Sequence, residues 1–247
     1  MSQKMFNSEV EVGKFLGSIT VVQDAYGAIS QTSSTYQLHT SPSGIKVLAF
    51  NCFSDYTLRF RNGEDLVSSD KHKVVDFVST NVNPKLSINK VVVELFELPF
   101  KELSELSNQV YLYFSRFKTQ DQIPLVVTGC DLGGYLAILN TLLHQHYTDF
   151  EESNGSKIVK RPICITFGLP LISNQHLQGA ISELPQWKSS FLNVVAKPDL
   201  LISFFSSTSQ YMSFDTFLFC AKSGGHTAFE DQDMILAFLD GMVSSNA

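Results

Sequence analysis

The stretch that decides the fold is IPLVVTGCDLGGYLAIL, residues 123–139. A short apolar run leads into a glycine-flanked turn, and a longer apolar run of helical character follows. This order of buried strand, sharp turn and helix is typical of a nucleophile elbow. Asp131 stands at the position where a serine hydrolase carries its nucleophile.

The glycines around Asp131 keep the elbow frame although the serine is absent. The turn is strained and its helix crosses close over the strand, so the neighbouring residues must be small. We expect Gly129, Gly133 and Gly134 to supply that space.

Strand-like and helical patterns alternate along the rest of the chain. The predicted strands are 45–53, 89–98, 123–128, 162–167, 191–196 and 215–221, and the predicted helices are 8–22, 68–81, 99–117, 132–147, 174–183 and 230–243. The Ser/Thr-rich segment 29–44 is predicted to be a loop that ends in a turn. Such alternation predicts a single α/β domain over 1–247, with a mostly parallel central sheet and helices on both faces.

Composition limits the classes of function. The 247 residues are 44% hydrophobic and 17% charged, which suits one folded domain with its own core. A net charge of −6 without a basic run predicts no nucleic-acid partner. The chain has no apolar run of membrane-spanning length and no signal-like start, so we expect a cytoplasmic and nuclear protein without a membrane span.

The four cysteines predict neither a metal site nor a redox motif. They are spread along the chain without a CxxC pair, and each lies in or beside an apolar run. We expect them to be small buried thiols, and we predict no metal and no cofactor. They are Cys52, Cys130, Cys164 and Cys220.

Three blocks of the sequence, the first within the elbow stretch, resemble in order the core of the class 3 lipases. They are VVTGCDLGGYLAIL (126–139), ICITFGLPLISN (163–174) and FLNVVAKPDLLISFF (191–205). Residues 214–239 resemble a narrower group, the plant lipase-like immune regulators that include the enhanced-disease-susceptibility, phytoalexin-deficient and senescence-associated proteins. Within that group, this chain resembles the senescence-associated carboxylesterase-like branch, because its elbow serine is missing.

The resemblance implies a degenerate catalytic triad. It places the family's acid at Asp199, and only weakly offers His226 as the histidine, since His226 falls closer to Asp199 than the lipase histidine usually does. A turn on the surface is the expected setting of His226. Asp131 has no proton to give at neutral pH, so serine-type acyl transfer is not available there.

The oxyanion region also departs from the lipase pattern. Asn51 or Ser54 could donate a hydrogen bond, but the glycine that lets donors approach the developing charge is missing. The backbone N–H of Leu132 remains as one donor.

Histidines elsewhere predict no site. We expect His144 and His146 to mark a solvated end of the elbow helix, and His39, His72 and His176 to lie on the surface.

Two interpretations of Asp131 stay open. In the first, Asp tolerates a left-handed backbone and caps the helix that begins at Leu132. In the second, Asp131 is itself a nucleophile, as in haloalkane dehalogenases and epoxide hydrolases, with His226 as the candidate base.

The family resemblance implies a non-catalytic domain that forms a heterodimer with the lipase-like domain of an enhanced-disease-susceptibility-type partner. The setting would be plant innate immune signalling, including the hypersensitive response and senescence. The alternative is a hydrolase, either a carboxylesterase or an enzyme that uses Asp131. Family members usually continue into a C-terminal helical domain, which this chain lacks, so we expect a fragment or a truncated form.

Overall fold

The computed structural model describes residues 21–42, 44–51, 66–73, 75–78, 86–106, 125–155, 161–168, 171, 173–174, 176–184, 187, 190–196, 213, 215–220 and 226–244. The predicted helix 8–22 falls almost entirely outside these residues, as does most of the predicted helix 99–117.

The described elements alternate along the chain as the sequence predicted. In order they are α1 (Val21–Gln31), β1 (Tyr36–Thr40), β2 (Lys46–Phe50), β3 (Leu66–Ser68), two 3-10 turns (Ser69–Lys71 and Asp76–Val78), β4 (Ser87–Asn89), α2 (Lys90–Glu97), β5 (Val126–Cys130), α3 (Leu132–Ser153), β6 (Ile163–Phe167), α4 (His176–Glu183), β7 (Phe191–Ala196), β8 (Thr216–Cys220), β9 (His226–Phe229) and α5 (Gln232–Ser244). Residues 100–106 are also helical.

A seven-stranded sheet organises the described residues, with strand order β1-β2-β5-β6-β7-β8-β9. Neighbouring strands from β2 to β8 are parallel, while β1 and β9 pair antiparallel at the two edges. A separate two-stranded sheet joins β3 and β4. The mostly parallel α/β sheet is therefore confirmed.

Two apolar cores lie on opposite faces of this sheet. Along β2, Leu48 and Phe50 join the core that holds α2, α3 and α5, while Val47 and Ala49 join the core beneath α1. Successive side chains of a strand point to opposite faces, so this division means that both faces are covered. A strand that is buried on both faces has a mostly apolar sequence, so the positions of β2 and β5 could be predicted.

The predicted strand 89–98 is wrong. Only β4 is extended there, and α2 follows it directly. The Asn89 side chain accepts hydrogen bonds from the N–H groups of Val91 at 2.9 Å and Val92 at 3.3 Å, so it caps the helix. A short, wholly apolar run does not distinguish a buried strand from a buried helix, and here the cap and the packing of α2 decide.

Three other local predictions need correction. The segment 29–44 holds the last turn of α1 and the edge strand β1 rather than a loop. The predicted helix 68–81 is replaced by the two 3-10 turns, and β9 was not predicted. Edge strands are short and half polar, so their patterns are weak.

Candidate functional site

The turn between β5 and α3 has the strained geometry of a nucleophile elbow. Asp131 adopts φ 49° and ψ −124°, a region that non-glycine residues rarely occupy. Its N–H donates to the Phe167 carbonyl at 3.2 Å, and its own carbonyl accepts from the Gly134 N–H at 3.0 Å. Strand β6 and the first turn of α3 therefore hold the turn from two sides, and Asp131 is exposed at its apex.

The three glycines of the elbow do not face the same constraint. A Cβ at Gly129 would lie 2.2 Å from the Gly133 carbonyl oxygen, and one at Gly133 would lie 2.6 Å from the Phe50 carbonyl oxygen. A Cβ at Gly134 would meet nothing closer than 3.5 Å, which is ordinary contact. Close backbone approach thus demands glycine at the first two positions, but not at Gly134.

The expected helix cap is not made by Asp131. Its side chain forms no capping hydrogen bond with α3, although it is the N-cap residue. A side chain reaches the free N–H groups when the cap residue has β-region dihedrals, as Asn89 has at φ −58° and ψ 129°. The dihedrals of Asp131 lie far from that region and also from the left-handed helical one, whose ψ is positive.

His226 lies far from the elbow within the sheet. It is the exposed first residue of β9, opposite Cys220 of β8. The expected setting, a surface turn, was therefore wrong. Four strand spacings separate β5 from β9. At about 4.8 Å each, these amount to roughly 19 Å, well beyond the reach of a hydrogen bond between Asp131 and His226.

His144 is buried in the middle of α3, not solvated at a helix end. It is 1% exposed, and its Nδ1 atom has no hydrogen-bond partner. Burial, and then the positive charge of Arg161, lower the pKa of His144 from 6.5 to about 4. Thirteen residues of helix place it about 20 Å from Asp131, so it is not a base for the elbow either. The largely apolar sequence of α3 before it, LGGYLAILNTLL, was the signal for its burial.

Asn51 donates hydrogen bonds to other parts of the chain, which disfavours a role in an oxyanion hole. Its side-chain amide donates to the Thr32 carbonyl at 3.1 Å, and its backbone N–H donates to the Thr35 carbonyl at 3.0 Å. Leu132 is the first residue of α3, where N–H groups precede the intrahelical ladder. Ser54 and Asp199 lie outside the described residues.

The opposite end of α3 is fixed by a polar network. The Arg161 guanidinium contacts Asp149 and Glu152 at 2.7 Å each and donates to the Gln145 Oε1 atom at 2.8 Å. Asp149 also accepts from the Trp187 indole at 2.7 Å. These contacts hold the elbow helix at the end remote from Asp131.

The described cysteines differ in exposure. Cys164 is buried, and its burial raises the pKa of its thiol to about 12, so it is not a thiolate nucleophile at neutral pH. Cys130 and Cys220 are only partly buried, contrary to expectation, and Cys52 lies outside the described residues.

Neither a metal cluster nor a membrane-spanning helix was found in the described part of the chain. No three or more His, Cys, Asp or Glu side chains there are grouped to hold a metal. None of the helices in the same residues combines the length and apolar character needed to cross a bilayer.

Solved lipase structures share this architecture. Lipase II from Rhizopus niveus superposes with a TM-score of 0.59 at 11% identity, covering 91% of this chain and 86% of the lipase. The Rhizomucor miehei lipase in its propeptide complex gives 0.56 at 12% identity, covering 90% and 72%. At such low identity these similarities establish the α/β-hydrolase fold alone.

Two plant proteins are similar in sequence. Senescence-associated carboxylesterase 101 of Arabidopsis thaliana is 32% identical over 177 residues, 71% of this chain and 29% of that protein. Lipase-like PAD4 of the same plant is 38% identical over 101 residues, 41% of this chain and 17% of that protein. The chain thus spans less than a third of the length of either relative. Both relatives match the plant group that the sequence resembles.

The Lipase (class 3) family matches residues 55–208, more than half of the chain. That match covers the elbow and the strands β6 and β7 that follow it in the sheet, and the fold around them is that of the lipases. The chain therefore belongs to the class 3 lipase family.

Proposed function

We propose that this chain is a lipase-like domain that does not hydrolyse esters and instead binds a second lipase-like domain of the enhanced-disease-susceptibility type. The observation that carries the proposal is the elbow itself. Its strained turn is kept at φ 49°, while the serine is replaced by Asp131 and His226 lies four strands away.

Ester hydrolysis by the lipase route needs three functions at the elbow. A hydroxyl must attack, an imidazole must take its proton, and donors must stabilise the oxyanion. Asp131 has no hydroxyl, and the donors of Asn51 point to Thr32 and Thr35. Retention of the fold without these functions favours a binding role.

The names of the relatives support part of the setting that we propose. One carries senescence in its name and the other is called lipase-like. We place the domain in plant defence and senescence signalling, including the hypersensitive response, and in the cytoplasm and nucleus. A fluorescent fusion confined to another compartment would contradict the location.

The test of binding is complex formation between purified proteins. The chain should co-elute with the lipase-like domain of an enhanced-disease-susceptibility protein as a 1:1 complex at micromolar concentration. A serine-bearing fungal lipase of the same fold serves as the control and should not co-elute. Separate elution of the two plant domains at this concentration would contradict the proposal.

A hydrolase that uses Asp131 is the second candidate. The exposed apex position of Asp131 in an elbow turn favours it, because an aspartate nucleophile needs that access. It also needs a histidine that activates water, and His226 is too distant. Turnover of an epoxide or ester that disappears in Asp131→Asn would support this candidate over the first.

A further inference from the structure

Helix α5 carries an exposed apolar stripe beside the sheet edge. Ile235 and Leu239 are buried and pack the helix against the core. Met234 and Phe238, one turn apart on another side of the helix, are 52% and 40% exposed. Ala237 and Gly241 are exposed next to them. We call Met234, Ala237, Phe238 and Gly241 the α5 stripe.

The Phe238 ring is held in place before any partner arrives. Its centroid lies 4.6 Å from that of Phe219 and 5.5 Å from that of Phe229, and those two rings are 6.0 Å apart. A ring fixed by two aromatic neighbours loses little rotamer entropy on binding. Pre-organised aromatic side chains of this kind are typical anchors of interfaces.

The surface of the α5 stripe is lower at the small residues Ala237 and Gly241 than at Met234 and Phe238. A Cβ added at Gly241 would meet nothing within 4 Å, so the helix surface is open there. A partner backbone can approach closely at Ala237 and Gly241, while its apolar side chains pack against Met234 and Phe238.

All formal charges in the segment that carries the stripe are negative. Residues 226–247 include Glu230, Asp231, Asp233 and Asp240 and neither lysine nor arginine. Asp231 has a structural role in the helix, since its Oδ1 accepts a hydrogen bond from the Met234 N–H at 3.0 Å. The last turn of α5 has no basic residue, although a cation there would stabilise the helix. Negative charge at Glu230, Asp231 and Asp233 also stabilises the N-terminal end of α5, whereas Asp240 near its C-terminal end does not.

We propose that the α5 stripe docks an amphipathic helical segment of a partner protein whose apolar anchors are flanked by lysine or arginine. The apolar area favours a protein segment, and the carboxylates select a basic one and repel anionic membranes and nucleic acid. This proposal does not depend on the proposed heterodimer.

The probe for the test is a labelled 18-residue Leu/Lys helical peptide, titrated with the full chain and followed by fluorescence anisotropy. Matched probes have Glu in place of Lys, or the same residues scrambled. We expect micromolar binding of the Leu/Lys helix, at least about tenfold weaker binding of the other two, and weakening with salt.

Variants locate the binding surface. Met234→Lys and Ala237→Trp should each weaken binding about tenfold or more, and Asp233→Lys should weaken it and reduce its salt dependence. Leu98→Lys is the control, since Leu98 is 73% exposed at the end of α2. Circular dichroism checks that each variant folds.

Three results would overturn the inference. They are no binding at about 100 μM, equal binding of the Lys and Glu probes, or binding unchanged in both Met234→Lys and Ala237→Trp. Because the probe is not a lipase-like domain, failure here leaves the co-elution test of the proposed function unaffected.

Discussion

Asp131 combines an exposed acidic side chain with a backbone conformation that suits glycine. The sequence predicted that Asp would tolerate a positive φ, and φ is 49°. It also predicted a capping role, which the structure does not show. The turn is imposed by the backbone around it, through the contacts of Phe167 and Gly134.

Asp131→Gly should be more stable than Asp131→Ala, the reverse of the usual order. Both variants lose the carboxylate, so their difference isolates the backbone strain. We expect about 1–3 kcal/mol in favour of glycine from the relief of positive-φ strain. Urea unfolding of the two proteins measures this, and an alanine variant of equal or higher stability would contradict the strained geometry.

His144 should make the fold sensitive to acid. Its folded pKa of about 4 lies below the ordinary 6.5, so the unfolded chain binds the proton more readily. The neutral imidazole therefore costs no stability above pH 6.5, and stability is lost as the pH falls from there towards 4. By linkage this loss is about 2 kcal/mol between pH 7.5 and 5.

His144→Leu removes this group from the titration. Urea unfolding at pH 7.5 and 5 should show that the variant loses about 2 kcal/mol less than the wild type. His146→Leu, an exposed position on the same helix, is the control and should behave as the wild type. Equal pH dependence of all three proteins would rule out a buried neutral His144.

At the scale of elements, the crossing of α3 over β5 depends on backbone contact at two glycines. Gly129 faces the Gly133 carbonyl, and Gly133 faces the Phe50 carbonyl. The sequence pattern identified these glycines but did not separate them from Gly134, because the separation depends on which backbone lies opposite each one.

Gly129→Ala should be strongly destabilised, by about 3 kcal/mol or more, because a Cβ cannot lie 2.2 Å from a carbonyl oxygen. Gly134→Ala, in the first turn of α3, should be unchanged or up to about 1 kcal/mol more stable, since alanine favours the helix. Thermal and urea unfolding check both variants. Similar destabilisation of the two would contradict the difference in packing.

The central strands β2, β5, β6, β7 and β8 were predictable, because each lies in a mostly apolar run between turn residues. Helix α2 and the edge strands β1 and β9 were not. The state of α2 depends on the Asn89 cap, and the edge strands are short and half polar, so they carry little strand pattern although each pairs with the strand next to it in the sequence.

At the scale of the whole molecule, the site could be predicted only in part. The elbow was predictable because its residues are contiguous. The place of His226 was not, because it depends on the strand order that puts β9 four positions from β5. The occupied donors of Asn51 also depend on a contact with Thr32, a residue distant in sequence.

Restoring the elbow serine should not restore an esterase. In Asp131→Ser the hydroxyl would stand in the elbow turn, but His226 would remain about 19 Å away and Asn51 would remain bonded to Thr32. We expect no release of p-nitrophenol from p-nitrophenyl butyrate above that of Asp131→Ala. Serine-dependent turnover would mean that a base and an oxyanion hole still exist.

The central claim is that this lipase fold operates without hydrolysis at its elbow. The most direct test is steady-state turnover of p-nitrophenyl butyrate and styrene oxide by the purified protein, compared with Asp131→Ala. We expect that neither protein exceeds the rate measured without protein. Turnover by the wild type that is lost in Asp131→Ala would contradict it.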